Sequence, residues 1–171
     1  ACHSTANTLR PGLQIIKTAP GASAVSSFNL MICPPQGNQY CPDGLVVFAD
    51  CGLNPTYTAE GLADCAIATA NSAKAIAGIE PKVAMLSFST KGSAKHDNVT
   101  LVQEATAIAK QKSPELKLDG ELQFDAAIVP SVGAMKAHGS EVAGHANVFI
   151  FPDLQAGNIG YKIAERLGGF M

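Results

Sequence analysis

Tryptophan is absent, and aromatic residues of all kinds make up only 6% of the chain. A glycoside hydrolase needs aromatic platforms for sugar rings, so Asp119, Glu121 and Asp125 are weak as a catalytic carboxylate pair. Charge is scarce too, at 15%, and nearly cancels: 12 Lys and Arg against 14 Asp and Glu. No basic face follows, which disfavours a nucleic-acid partner. The longest apolar runs are too short to span a bilayer, and the opening residues show no signal-peptide pattern.

Several catalytic motifs are missing as well. Neither G-x-x-x-x-G-K-[ST] nor G-x-G-x-x-G occurs, which argues against nucleotide hydrolysis of the P-loop kind. There is no G-x-S-x-G elbow, no H-E-x-x-H and no C-x-x-C. His3, His96, His138 and His145 follow no metal-ligand spacing, so they are expected on the surface and no metal is expected. Cysteine comes in an odd number, five. Cys51 and Cys65 sit in apolar stretches and read as reduced, buried, small hydrophobes of a cytosolic protein. A bridge between Cys33 and Cys41, across a long hairpin, stays open at this point.

What is present suits one globular domain: 171 residues, 47% of them hydrophobic. "LQIIKT" and "ASAVSSFNLMIC" read as strands, separated by Pro20 and Gly21. "LVVFADCG" reads as a buried parallel strand. Thr58 is placed to cap a helix whose stripe is Leu62, Ala66, Ala70 and Ala73, ending at Gly78. "KVAMLSFS" is the next buried strand. A helix capped by Asp97 follows, with Val102, Ala105 and Ala109 on one face. "LKLDGELQF" reads as extended, "DAAIVPSVGAMKAH" as a helix interrupted at Pro130, "ANVFIFPD" as a strand and "LQAGNIGYKIAERL" as a helix. Strands alternate with helices, so an α/β sheet with crossover helices is expected.

Polar residues gather at the ends of three predicted strands. Asp50 and Asn54 follow one; Ser87, Ser89, Thr90, Lys91, Gly92 and Ser93 follow the next; Asp153 and Asn158 follow the last. In open α/β sheets ligands collect outside the carboxyl ends of strands, so a shared cleft is expected there. The "STKGSAK" loop offers hydroxyls, free backbone and two lysines, suited to an anion. It suits equally a solvated turn that caps the next helix. Ser4, Thr5, Thr8 and Arg10 form a second cluster within "HSTANTLRP". A guanidinium beside hydroxyls fits a phosphate, and it also fits an ordinary helix start with Arg10 in solvent.

Taken together and in order, "HSTANTLRPGLQIIKT", "VVFADCGLNP", "KVAMLSFSTKGSAK", "LDGELQFDAA" and "VFIFPDLQAGNIGYK" resemble the phosphate acetyltransferase (phosphotransacetylase) family. The resemblance covers nearly the whole chain. It implies a three-layer α/β sheet with helices on both faces, the second domain of an isocitrate/isopropylmalate dehydrogenase-like fold. It implies transfer of acetyl between coenzyme A and phosphate, giving acetyl phosphate. Coenzyme A then serves as a substrate and no cofactor is bound permanently. A cytoplasmic homodimer is implied too. The catalytic assignment carried over is Arg10, with Ser4, Thr5, Thr8 and the Ser87–Ser93 loop at the phosphate and Asp50, Asn54, Gln123, Asp125, Asp153 and Asn158 in support.

The chain departs from the family by omission. Members have a long N-terminal portion and, past the last helix, an Asn-Asp-Leu-Ser-Arg-Gly motif, neither of which is found here. Residues 1–20 are therefore expected to join a first domain, and 21–171 to be the second, inserted domain. Alone, the chain is expected to be inactive. An acyl-CoA-sensing module of the kind fused to malic enzymes, and a phosphate butyryltransferase, are the alternatives.

Overall fold

Alternation with period two organises the centre of the molecule. In the computed structural model, which describes residues 5–17 and 25–171, the elements are α1 (Thr5–Pro11), β1 (Phe28–Ile32), β2 (Leu45–Ala49), α2 (Ala59–Ser72), β3 (Val83–Leu86), α3 (Asp97–Lys112), β4 (Leu118–Leu122), α4 (Phe124–Ile128), α5 (Pro130–Lys136), β5 (Val148–Ile150) and α6 (Leu154–Gly168). They build one five-stranded sheet in the order β1-β2-β5-β3-β4. β2, β5, β3 and β4 run parallel, and β1 is an antiparallel edge paired with β2. Val47, Ala49, Val83, Met85, Val148 and Ile150 face one side, where Leu62, Ala66 and Ala70 of α2 and Val102, Ala105 and Ala109 of α3 cover them. Val46, Phe48, Ala84, Leu86 and Phe149 face the other, covered by the region of α4 and α5 and by α6. These are the three layers the resemblance implied.

The small-residue stripes explain how close the layers sit. Leu62, Ala66, Ala70 and Ala73 are all buried, as the helical spacing predicted. Thr58 accepts from Gly61 N, and Gly78 ends the following π-helical turn, Ala73–Ala77, in the left-handed region. Pro130 begins α5 after the break at Val129, as read from the sequence. At the start of α6, Gly157 leaves no room for a side chain. A Cβ there would overlap the Asp50 carbonyl oxygen and approach Cys51 Sγ at 3.3 Å.

Three local expectations are overturned. "LQIIKT" is not a strand: α1 runs into a π-helical stretch, Gly12–Ile16, closed by Lys17 N–H donating to Gly12 O at 3.0 Å. Among the described residues it has no strand to pair with, so its backbone bonds locally. The next strand begins only at Phe28, because Val25 and Ser27 direct a carbonyl and a hydroxyl to Asn54 and Asp50. The cap of α3 is His96, whose Nδ1 accepts from Asn98 N at 3.1 Å, and Asp97 is the first helical residue. Pro20 and Gly21 lie outside the described residues.

Candidate functional site

The carboxyl ends of β2, β5, β3 and β4 point to one edge of the sheet, so the loops after them meet. A cavity of about 490 Å³ opens at this edge. Phe88, Phe124, Phe151 and Leu86 give it apolar walls, and Ser87, Asn98 and Asp153 give it polar points. A cavity of about 620 Å³ lies at the opposite edge, around Lys82, Glu80, His145 and Asn147. The carboxyl edge is the better candidate, because there the strand-to-helix loops converge with their helix N-termini.

The structure brings together most of the strand-end residues, but turns many of them inward. Asp50 is fully buried. Its Oδ1 accepts from the Ser27 hydroxyl, from Gly52 N at 3.0 Å and from Leu53 N at 3.2 Å. Its Oδ2 accepts from Asn54 N at 3.0 Å, Asn54 Nδ2 at 2.8 Å and Tyr57 Oη at 2.8 Å. Burial pushes this carboxyl up, and the hydrogen bonds from Ser27, Gly52, Tyr57 and Asn54 outweigh it and hold it below its ordinary value. Asp50 and Asn54 therefore tie the loop after β2 to the chain before β1. Asn158 reaches the same loop from α6, donating to Cys51 O at 3.2 Å.

The "STKGSAK" loop does hold an anion, and the anion is a side chain of the protein. Glu121 of β4 is buried, and its Oε1 accepts from Ser89 Oγ at 2.8 Å and Gly92 N at 2.7 Å. Gly92 has φ of +80° and so presents its amide where other residues are strained. Thr90 Oγ1 accepts from Gln123 N at 2.9 Å, and Thr90 N donates to Ser93 Oγ at 3.0 Å. Lys91 folds back onto Asp119 at 2.6 Å and Gly120 O at 2.9 Å. Of the loop residues read from the sequence, Ser87 lines the cavity directly, beside Phe88. Gln123 and Asp125 both take the Lys136 ammonium, at 2.9 and 3.1 Å. Asp153 lines the cavity and caps α6, accepting from Ala156 N at 2.8 Å.

Arg10 and Thr8 are exposed on α1, and neither lines the cavity among the described residues. The side chain of Thr5, and Ser4 as a whole, lie outside the described residues. His96, His138 and His145 are exposed, and no three His, Cys, Asp or Glu side chains come together as a metal site among the described residues. No helix there is long and apolar enough to cross a membrane.

Tyr57 and the phenylalanine walls were not read as site residues, nor was the network around Asp119. Asp119 accepts from Lys91, from Lys110 at 2.9 Å and from the Ser140 hydroxyl. Burial raises its pKa, but these three partners win and bring it from 3.8 down to about 2. A depressed folded-state value means stability that is present above the unfolded value and lost as pH falls through the folded one. Asp119 should therefore contribute about 2 kcal/mol near neutrality, lost between about pH 4 and pH 2. Asp119→Asn should flatten the stability–pH curve in that window; denaturant titrations at several pH values check it.

A parallel-centred sheet with helices on both faces and a cavity of about 490 Å³ at its carboxyl edge defines an open α/β protein. The particular family follows from relatives. The family model described as phosphate acetyl/butaryl transferase matches residues 1–171, and the chain belongs to this family. It is 58% identical over 167 residues to the phosphate acetyltransferase of Thermoanaerobacterium thermosaccharolyticum, covering 98% of this chain and 50% of that protein. It is 57% identical over 166 residues to that of Clostridium acetobutylicum, covering 97% of this chain and 49% of the relative. The crystal structure of a phosphotransacetylase from Streptococcus pyogenes matches with a TM-score of 0.91 and 58% identity, over 99% of this chain and 50% of that one. A branched-chain phosphotransacylase from Enterococcus faecalis, 22% identical with a TM-score of 0.77, over 99% of this chain and 59% of that one, shares the fold. The chain thus spans about half the length of the curated relatives it matches.

Proposed function

We propose that residues 21–171 are the second, inserted domain of a phosphate acetyltransferase, joined to a first domain through residues 1–20. The observation that carries this reading is the 58% identity to such an enzyme across 98% of the chain. In the reaction, the thiolate of coenzyme A attacks the carbonyl carbon of acetyl phosphate. The new C–S bond forms, the C–O bond to phosphate breaks, and phosphate leaves; the reverse direction makes acetyl phosphate.

This chain contributes one wall of the cleft. Phe88, Phe124 and Phe151 keep water from the thioester, and Ser87, Asn98 and Asp153 supply polar contacts. The Ser89–Ser93 turn, anchored on Glu121, keeps that wall in place. Asp50, Asn54, Gln123, Asp125 and Asn158 position the surrounding loops. Arg10, with Ser4, Thr5 and Thr8, binds the phosphate end, where a guanidinium matches two oxygens at once. The base that forms the thiolate is not assigned to this chain. Free thiols at Cys33, Cys41, Cys51 and Cys65 suit a cytoplasmic protein. The exposed row Ile159, Ile163 and Leu167 on α6 suits a homodimer.

Acetyl is favoured over butyryl because the relatives at 57–58% identity named above are acetyltransferases. A sensing module would bind acyl-CoA without turnover. The test measures acetyl phosphate formed from acetyl-CoA and phosphate. The 171-residue chain alone should give none. In the longer enzyme, Arg10→Ala should lower kcat/KM roughly ten- to a hundredfold with an unchanged melting temperature, and Arg10→Lys should recover part of it. Normal kcat/KM in Arg10→Ala would remove Arg10 from the site. An inactive longer enzyme that still binds acetyl-CoA would favour the sensing module.

A further inference from the structure

The connection between β1 and β2 carries two thiols that acetyl transfer does not use. Cys33 follows β1 directly, and its N–H donates to Gly44 O at 2.8 Å. Cys41 meets the same residue from its other side, its carbonyl accepting from Gly44 N at 3.0 Å. Both backbones are thus held against Gly44. Both side chains pack in the core cluster on the α6 face of the sheet, Cys41 buried and Cys33 partly exposed. The Cys33 and Cys41 side chains are near enough to influence one another, and neither is bridged. Cys51, in the same core cluster, and Cys65, in the cluster on the opposite face, are both buried, at 2% and 3% exposure. An oxidant in solution therefore reaches Cys33 before any of the other three.

We propose that Cys33 and Cys41 form a modification site, a vicinal dithiol that a low-molecular-weight disulfide such as oxidised glutathione converts to an intramolecular disulfide. In the first step the Cys33 thiolate attacks one sulfur of oxidised glutathione. The glutathione S–S bond breaks, one glutathione thiolate leaves, and Cys33 carries the other glutathione. In the second step Cys41 loses its proton to solvent and its thiolate attacks Cys33 Sγ. The mixed disulfide breaks and the second glutathione thiolate leaves. Two protein thiols are oxidised, and one glutathione disulfide is reduced to two thiols.

The environment sets this order. The Cys41 thiol is pushed up to about 12, first by burial, then by the hydrogen bond and charge of Cys33, then by Asp43. It does not start the exchange. Once Cys33 is held in the mixed disulfide, its contribution to raising the Cys41 thiol falls away. The resulting bridge would fasten the Pro34–Tyr40 loop, whose Asn38 and Tyr40 border an apolar cavity of about 530 Å³ beside Phe48, Phe124 and Phe170.

The experiment incubates the folded 171-residue chain with oxidised glutathione, alkylates remaining thiols after denaturation, and maps peptides by mass spectrometry. The expected main product is a Cys33–Cys41 linked peptide, reversed by dithiothreitol. Cys41→Ser should instead accumulate a glutathione adduct on Cys33, and Cys33→Ser should leave Cys41 free for alkylation. Mapping the unsubstituted chain needs no variant, so a poorly folding substitution does not blunt the test. A lasting glutathione adduct on Cys33 with Cys41 alkylated, pairing of Cys33 with Cys2, or no reaction at all would each overturn the proposal.

Discussion

Asp50→Ala is expected to destabilise the chain by about 3–5 kcal/mol. Six donors converge on this carboxylate: Ser27 Oγ, the amides of Gly52, Leu53 and Asn54, Asn54 Nδ2 and Tyr57 Oη. Each buried donor left without an acceptor costs on the order of 1–3 kcal/mol, and water entering the hole recovers part of the sum. Asp50→Asn should be nearly as harmful, because its amide places a donor among donors. For a domain of this size the melting temperature should fall by roughly 10 °C. The depressed pKa of Asp50 has the same sign as that of Asp119, so its contribution also fades as pH falls below the ordinary carboxylate range. Urea unfolding of the three proteins decides it. A loss below about 1 kcal/mol for Asp50→Ala would mean that the loop after β2 is held by packing alone.

Glu121→Ala should release the turn beside the cavity at a cost of about 2–4 kcal/mol. Ser89 Oγ and Gly92 N lose their acceptor, and Gly92 keeps its positive φ with nothing to hold it there. Burial raises the pKa of Glu121, but the Gly92 amide and the Ser89 hydroxyl outweigh it and keep the value low. Hydrogen exchange separates a local from a global effect. Amides of Ser89–Lys95 should lose protection well beyond those of β3 and α3. Glu121→Gln keeps one acceptor oxygen and should cost about 1 kcal/mol. Equal loss of protection across the whole chain would show that Glu121 supports the core and not the turn.

How much of this was legible in the sequence depends on how far apart the partners lie. Short continuous runs of apolar β-formers marked β2, β3 and β5, and the Ala-rich spacing marked the buried faces of α2 and α3, because those signals sit within one element. Loop chemistry was legible in kind but not in direction. "STKGSAK" displayed hydroxyls, amides and cations suited to an anion, but Glu121 lies 29 to 32 residues further on. Nothing local shows that β4 runs beside β3 and aims that carboxylate into the turn. The same holds for Asp50, whose partner Ser27 is 23 residues earlier, and for Phe88, Phe124 and Phe151, which share a cavity from beyond the ends of three different strands.

"LQIIKT" failed for the opposite reason. Its β-branched composition suits a strand, but a strand needs a neighbour to bond with, and the residues form a helical turn with no paired strand among the described residues. By itself, the sequence determined the α/β class, the helix faces, the caps at Thr58 and Gly78, and through its ordered motifs the family. Those properties come from backbone preference and side-chain period, which act over a few residues. Only the tertiary structure decided the strand order, the cavity at the carboxyl edge, and which polar groups turn inward to Asp50, Asp119 and Glu121. Hydrogen-bond satisfaction of a buried charge is set by whatever the fold brings within about 3 Å of it, at any distance along the chain.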